Sequence, residues 1–169
     1  MAVHYLHTEI EIDASSERVW AVLLDFASYP QWNPFVRSVV GLPQKGARLQ
    51  IAVQPHGGKV MRFSAVVLAA EAGRELRWLG GFLFPGLFDG EHSFVIESLG
   101  ADKVRFRQSE RFGGILVGLF RTSLNRDTKR GFEEMNLALK ARAEEVLQDQ
   151  VEEKQAEHQG GADAAMRHG

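Results

Sequence analysis

The sequence predicts an α+β domain in which a seven-stranded, curved antiparallel sheet wraps around a long C-terminal helix, with one or two short helices between strands 1 and 2. Three observations predict it. Apolar and polar residues alternate with period two in seven separate runs. The connections between the last six runs are mostly short and glycine-rich, as neighbours in an antiparallel meander require. From about Thr122 the apolar period becomes that of a helix.

Val3–Ile12 opens the chain as a half-buried strand, with Leu6, Thr8, Ile10 and Ile12 on one face and Tyr5, His7, Glu9 and Glu11 on the other. Ser15 suits the N-cap of a helix whose first turn carries Glu17, and Val19, Trp20, Leu23 and Leu24 supply its apolar stripe. Tyr29-Pro30 ends that helix, because a residue before proline is pushed out of helical geometry. The stretch FASYPQWNPFV, residues 26–36, then reads as an irregular connector crowded with rings. Strands follow near 35–41, 47–55, 59–71, 74–80, 88–98 and 103–112. In the last helix Leu124, Thr128, Gly131, Met135, Leu139, Arg142 and Val146 share a stripe, flanked by Phe132 and Ala143. Glycine inside a helix costs about 0.5–1 kcal/mol relative to alanine, so Gly131 is expected to mark a close approach of backbone to sheet or ligand. Residues 1–148 form one domain, and 149–169 is a charged tail with too little apolar surface to order.

Composition narrows the function. With 169 residues, 44% of them apolar and 25% charged, the chain can build a core without staples. The net charge of −2, with both signs interspersed, argues against nucleic-acid binding, which needs a concentrated basic surface. The absence of cysteine excludes disulfides, thiolate nucleophiles and thiolate metal sites. The N-terminus lacks a signal-peptide pattern, and no apolar run approaches the ~20 residues of a spanning helix. A cytoplasmic protein without stable membrane insertion is expected. Gly57-Gly58 and Gly80-Gly81 open no helix in a βαβ unit, and Ser64, Ser93 and Ser109 lie in strands without a nucleophile elbow. One histidine beside one carboxylate is too small a set for a metal. No cofactor and no metal are expected.

The segments IEIDASSERVWAVLLDFASYPQWNPFV, FDGEHSFVIES and VRFRQSERFGGILVGLF resemble the SRPBCC, or START-related helix-grip, superfamily over about residues 3–147. The polyketide cyclase/dehydrase-like branch is the best match. The resemblance implies a helix-grip fold with a cavity between sheet and helix for a small or lipidic apolar ligand. It does not carry a reaction with it.

The meander itself indicates where such a cavity would open. Successive turns alternate between the two ends of the sheet. LPQKG, AEAG and LGAD, short and polar, share one end; YPQWNP, QPHGGK, GGFLFPGLFDG and FGGILVG share the other. Rings beside glycines suit an entrance for an apolar ligand. Trp32, Phe82, Phe84 and Phe88 either form its rim or plug the end of the core.

Strand parity selects the inward side chains. Phe63 on strand 4, Trp78 on strand 5, Phe88, His92 and Phe94 on strand 6, and Phe106, Gln108 and Glu110 on strand 7 face the helix. The cavity lining is accordingly expected from Phe63, Trp78, Phe94, Phe106 and Met135, with Gly131 admitting the ligand. The hairpin at Gly100 places His92 opposite Glu110 if paired numbers sum to 202, and diagonal to it if they sum to 200. Such a pair orients a ligand's polar group, works as an acid and base, or is purely structural. Three functions follow: a binding or transport module for a small apolar ligand, a cyclase/dehydratase using His92 and Glu110, or a co-chaperone-like protein-binding domain. With no nucleophile or cofactor loop in sight, ligand binding leads. Oligomeric state and ligand identity are not encoded in any motif.

Overall fold

The computed structural model describes residues 2–81 and 86–145. The strands are β1 (Ala2–Ile12), β2 (Val36–Val40), β3 (Arg48–Val53), β4 (Met61–Glu71), β5 (Glu75–Gly81), β6 (Asp89–Gly100) and β7 (Lys103–Gly114). They form one antiparallel sheet in the order β1-β7-β6-β5-β4-β3-β2. Every strand after β1 pairs with its successor, and β1 returns beside β7, with Leu6 opposite Glu110.

Between β1 and β2 lie α1 (Ser16–Leu24), a 3-10 turn at Phe26–Ser28 and α2 (Tyr29–Trp32). Ser15 caps α1, its hydroxyl accepting from the Arg18 amide at 3.2 Å. The ring-rich stretch 26–36 is therefore mostly helical, contrary to its reading as an irregular connector. Pro30 occupies a first-turn position of α2, where a missing N–H leaves no hydrogen bond broken. Tyr29 is fully buried and donates its hydroxyl to the Leu23 carbonyl at 2.6 Å. Burial, helped by the Asp25 charge, pushes that hydroxyl's pKa far above its ordinary value, so it stays a donor. Asn33 Oδ1 accepts from the Phe35 and Val36 amides at 3.0 and 2.9 Å and turns the chain into β2.

The last helix, α3, spans residues 117–145. It opens as Val117–Ser123, passes through a π-helical turn at Leu124–Thr128 and is α-helical again from 129. It starts earlier than its periodicity indicates, so part of the FGGILVG stretch is helix rather than loop. Thr128, Gly131, Phe132, Met135, Asn136, Leu139 and Ala143 are buried on the sheet side. Arg142, placed on that stripe by spacing, is only half-buried; Ala143 takes the position against the core. Carbonyls of Arg142 and Ala143 accept instead from the Arg18 guanidinium, which ties α3 to α1.

The core proper sits between α3 and the sheet end carrying the short polar turns. Leu76, Phe94, Phe106, Met135 and Leu139 have no exposed surface there. The arginines of β7 point to the convex face, where Arg105 and Arg107 bridge Glu9, Glu11 and Glu97. Val146 and the tail 149–169 lie outside the described residues.

Candidate ligand-binding site

A cavity of about 740 Å³ lies between sheet and helix. Its walls come from the end of the sheet where the glycine- and ring-rich connections gather. Phe35 and Val36 border it from the start of β2, Val53 from the end of β3, and Met61 and Phe63 from β4. Trp78, Gly80 and Gly81 of β5, Phe88, Gly90 and His92 around β6, and Glu110 and Phe112 of β7 complete the sheet side. The β3–β4 loop supplies Pro55–Lys59. Leu116, Phe120, Ser123 and Leu124 and the π turn's Arg126, Asp127 and Thr128 form the helical wall.

Two inward positions of the cavity's sheet wall carry no side chain. Gly80 and Gly90 face each other across β5 and β6. A Cβ at Gly80 would stand 2.6 Å from the Phe63 ring, and one at Gly90 would collide with Glu110 Oε1. Phe63 therefore lies across Gly80, and the Glu110 carboxylate lies across Gly90. Any larger residue at either position would displace Phe63 or Glu110 from its place in the wall.

His92 pairs directly with Glu110, the register whose numbers sum to 202. The His92 Nδ1 to Glu110 Oε2 distance is 3.4 Å, with 5% and 13% of the two side chains exposed. The imidazole stacks on Phe94 at 4.3 Å between centroids and also touches Phe132 and Trp78 at 4.8 and 5.5 Å. His92 Nε2 is buried without a hydrogen-bond partner. A buried polar atom left unpaired is destabilising by about 1–3 kcal/mol, so its retention needs a reason outside packing. Arg77 sits on the convex face with Glu75 and Glu91.

The other expected site residues divide clearly. Phe63, Trp78, Phe88, His92 and Glu110 border the cavity. Phe94, Phe106, Gln108 and Met135 do not; they close-pack beneath it, fully buried, because the strands carry them further toward the closed end. Gln108 Nε2 reaches Met135 Sδ at 3.4 Å and Asn136 Oδ1 at 3.3 Å, and Asn136 donates to Thr8 Oγ1 at 2.9 Å, so Gln108 belongs to a buried polar bridge between sheet and helix. Gly131 admits a close approach, but of the Phe35 ring rather than of sheet or ligand. Trp32 is not on the rim: it packs edge-on against Tyr29 at 5.1 Å and donates its indole N–H to Ser28 Oγ at 3.0 Å. Phe82 and Phe84 lie outside the described residues.

Several wall residues were not singled out from the sequence, among them Phe35, His56, Phe112 and Phe120. Phe35 belongs to the quoted ring-rich stretch, His56 to a glycine loop of the ring-rich end, and Phe112 to the inward parity of β7. His56 joins loop to helix: its Nδ1 lies 2.7 Å from Glu134 Oε1, and its amide donates to the Asp127 carbonyl at 3.3 Å. That carbonyl belongs to the π turn, where the ordinary α-helical ladder is interrupted. The Arg126 guanidinium, with Ser123 Oγ, holds the Asp127 carboxyl below its ordinary pKa against partial desolvation.

Among the described residues no group of three or more histidine and acidic side chains is placed to hold a metal ion, and no helix is long and apolar enough to cross a membrane. The arrangement can pack an apolar body, hold its polar group against a carboxylate and imidazole, or exchange a proton with it.

Solved structures share this architecture at low identity. The Zhui aromatase/cyclase from Streptomyces sp. R1128 superposes with a TM-score of 0.72 at 15% identity, covering 86% of this chain and 96% of its own. A START superfamily protein from Mycobacterium smegmatis gives 0.67 at 23%, covering 85% and 99%. Norcoclaurine synthase from Thalictrum flavum gives 0.66 at 13%, covering 86% and 96%. These likenesses show the fold, which serves more than one chemistry. No curated protein matches the sequence. Residues 4–144 match the model of the family described as polyketide cyclase / dehydrase and lipid transport, and the chain belongs to that family.

Proposed function

We propose that this is a cytoplasmic binding or transport protein for a small apolar ligand with one polar group. Phe63, Trp78 and Phe88 pack the ligand's body, and His92 and Glu110 orient its polar group. The observation that carries this reading is the nearly buried carboxylate–imidazole pair in the wall of a ring-lined cavity. A cavity of this volume falls in the range of small-molecule sites.

One observation favours a second reading, a cyclase/dehydratase. The same pair has the composition of a general acid and base, in a family whose description includes cyclases and dehydrases. Native mass spectrometry of the purified protein, followed by extraction, is expected to find a retained apolar molecule. With that molecule in hand, His92→Gln or Glu110→Gln should weaken affinity by about 1–3 kcal/mol if the pair anchors it. An acid/base role would instead leave affinity in place and lower a turnover rate about 10²–10⁴-fold. No change in either property would remove both residues from the site.

A further inference from the structure

We infer that the polar group the cavity takes is cationic, so that its ligands are amines carried on an aromatic or aliphatic body. The inference rests on the ligand-binding reading above and adds the charge of the head group.

The Glu110 carboxylate lies over Gly90, and the sheet register identifies what surrounds it. Phe112 is the direct cross-strand partner of Gly90 on β7, and Gly80, covered by Phe63, is its partner on β5. Phe88 precedes Gly90 by two positions and packs on Phe112 at 5.6 Å, while Trp78 lies opposite His92. One carboxylate is thus set among the rings of Phe63, Trp78, Phe88 and Phe112. Ring faces carry negative electrostatic potential and attract cations, most strongly when water is excluded. They do nothing comparable for an anion.

The carboxylate also lacks a resident counter-charge. Among the described residues no lysine or arginine lies within ion-pairing distance of Glu110, and its one close polar neighbour is His92 Nδ1. Arg77 is engaged by Glu75 and Glu91, and Arg126, at the helical wall, by Asp127. Glu110 Oε1 lies over Gly90, in the cavity wall. A nearly buried carboxylate with no lysine or arginine partner gains a counter-charge and up to three donors from a ligand ammonium.

Three probes that share one ring system test this by calorimetry at pH 7 on the full chain: 2-(1-naphthyl)ethylamine, 2-(1-naphthyl)ethanol and 1-naphthylacetate. The amine is expected to bind at least tenfold more tightly than the alcohol, with the carboxylate weakest. Glu110→Gln should bring amine and alcohol within twofold of each other, because it weakens amine binding far more than alcohol binding. Alcohol or carboxylate binding as tightly as the amine in the native protein would overturn the inference, as would an amine preference that survives Glu110→Gln. Should that variant not fold, the native rank order decides alone. If none of the three probes binds, the apolar-ligand reading itself falls, which is a different result from bound probes without charge preference.

Discussion

At the closed end of the sheet, Leu76 of β5, Phe94 of β6 and Phe106 of β7 meet Met135 and Leu139 of α3 with no exposed surface. Toward the other end the same three strands present Gly80, Gly90 and Glu110 on the same face, and α3 faces them through a π turn. Parity, strand pairing and helix continue through both halves. In the open half Gly80 and Gly90 carry no side chain, and Phe63 and Glu110 lie across them in the cavity wall. The packed frame and the cavity wall should therefore respond differently to mutation.

The largest expected contrast comes from truncating one ring in each half. Phe94→Ala should lower stability by about 3–5 kcal/mol in urea unfolding, the scale for a large aromatic deleted from a core. Phe88→Ala, at a half-buried wall position, should change stability by less than half as much while weakening uptake of an apolar dye. Equal losses would mean that the two halves are one packed unit. Next is Trp32→Ala, which removes an edge-on ring pair and an indole hydrogen bond but no cavity wall. It should lower stability by about 1–3 kcal/mol and leave dye affinity unchanged. Reduced affinity at unchanged melting temperature would return Trp32 to the entrance.

Gly90→Leu sharpens the comparison from the other side. It should push the Glu110 carboxylate from its place and reduce dye affinity tenfold or more, about 1.4 kcal/mol, with a smaller change in stability. The smallest effect lies far from the cavity, at Glu144. Partial burial alone would raise its pKa, but Lys140 and the Asp13 amide outweigh this and hold it below the ordinary value of 4.5. A carboxylate with a lowered folded pKa stabilises the fold above its unfolded pKa and loses that contribution as pH falls through the folded value. Glu144→Gln should therefore lower stability by about 1 kcal/mol or less at pH 7, with the difference shrinking below about pH 4.5. A difference that persists at pH 3 would assign the effect to packing.

The strands, and the facing of His92 and Glu110, were legible because period-two parity is local and a short hairpin permits only two registers. Which inward residues border empty space was not. Phe94 and Phe106 share parity with His92 and Glu110, and only their position along the twisted strands decides between core and wall. Gly80 and Gly90 stand apart in sequence, and their adjacency appears once β5 and β6 are paired. Trp32 was misplaced because two prolines in a short stretch hid a helix that accommodates Pro30 in its first turn. The start of α3 was hidden in the same way by Gly113, Gly114 and Gly118.

The π turn at Leu124–Thr128 bears on how the helical wall of the cavity can vary among descendants of this chain. One residue of an α-helix corresponds to about 100° of rotation about its axis. A π turn holds one residue more than regular winding needs. Deleting a single codon there, at exposed Asn125 for instance, returns the helix to uniform winding and rotates residues 117–123 by about that angle relative to the sheet. Phe120 then leaves the cavity wall and another side chain of the same segment replaces it. The helical wall of the cavity can thus be recut by one in-frame deletion while every strand, and the buried half of the helix, keeps its sequence.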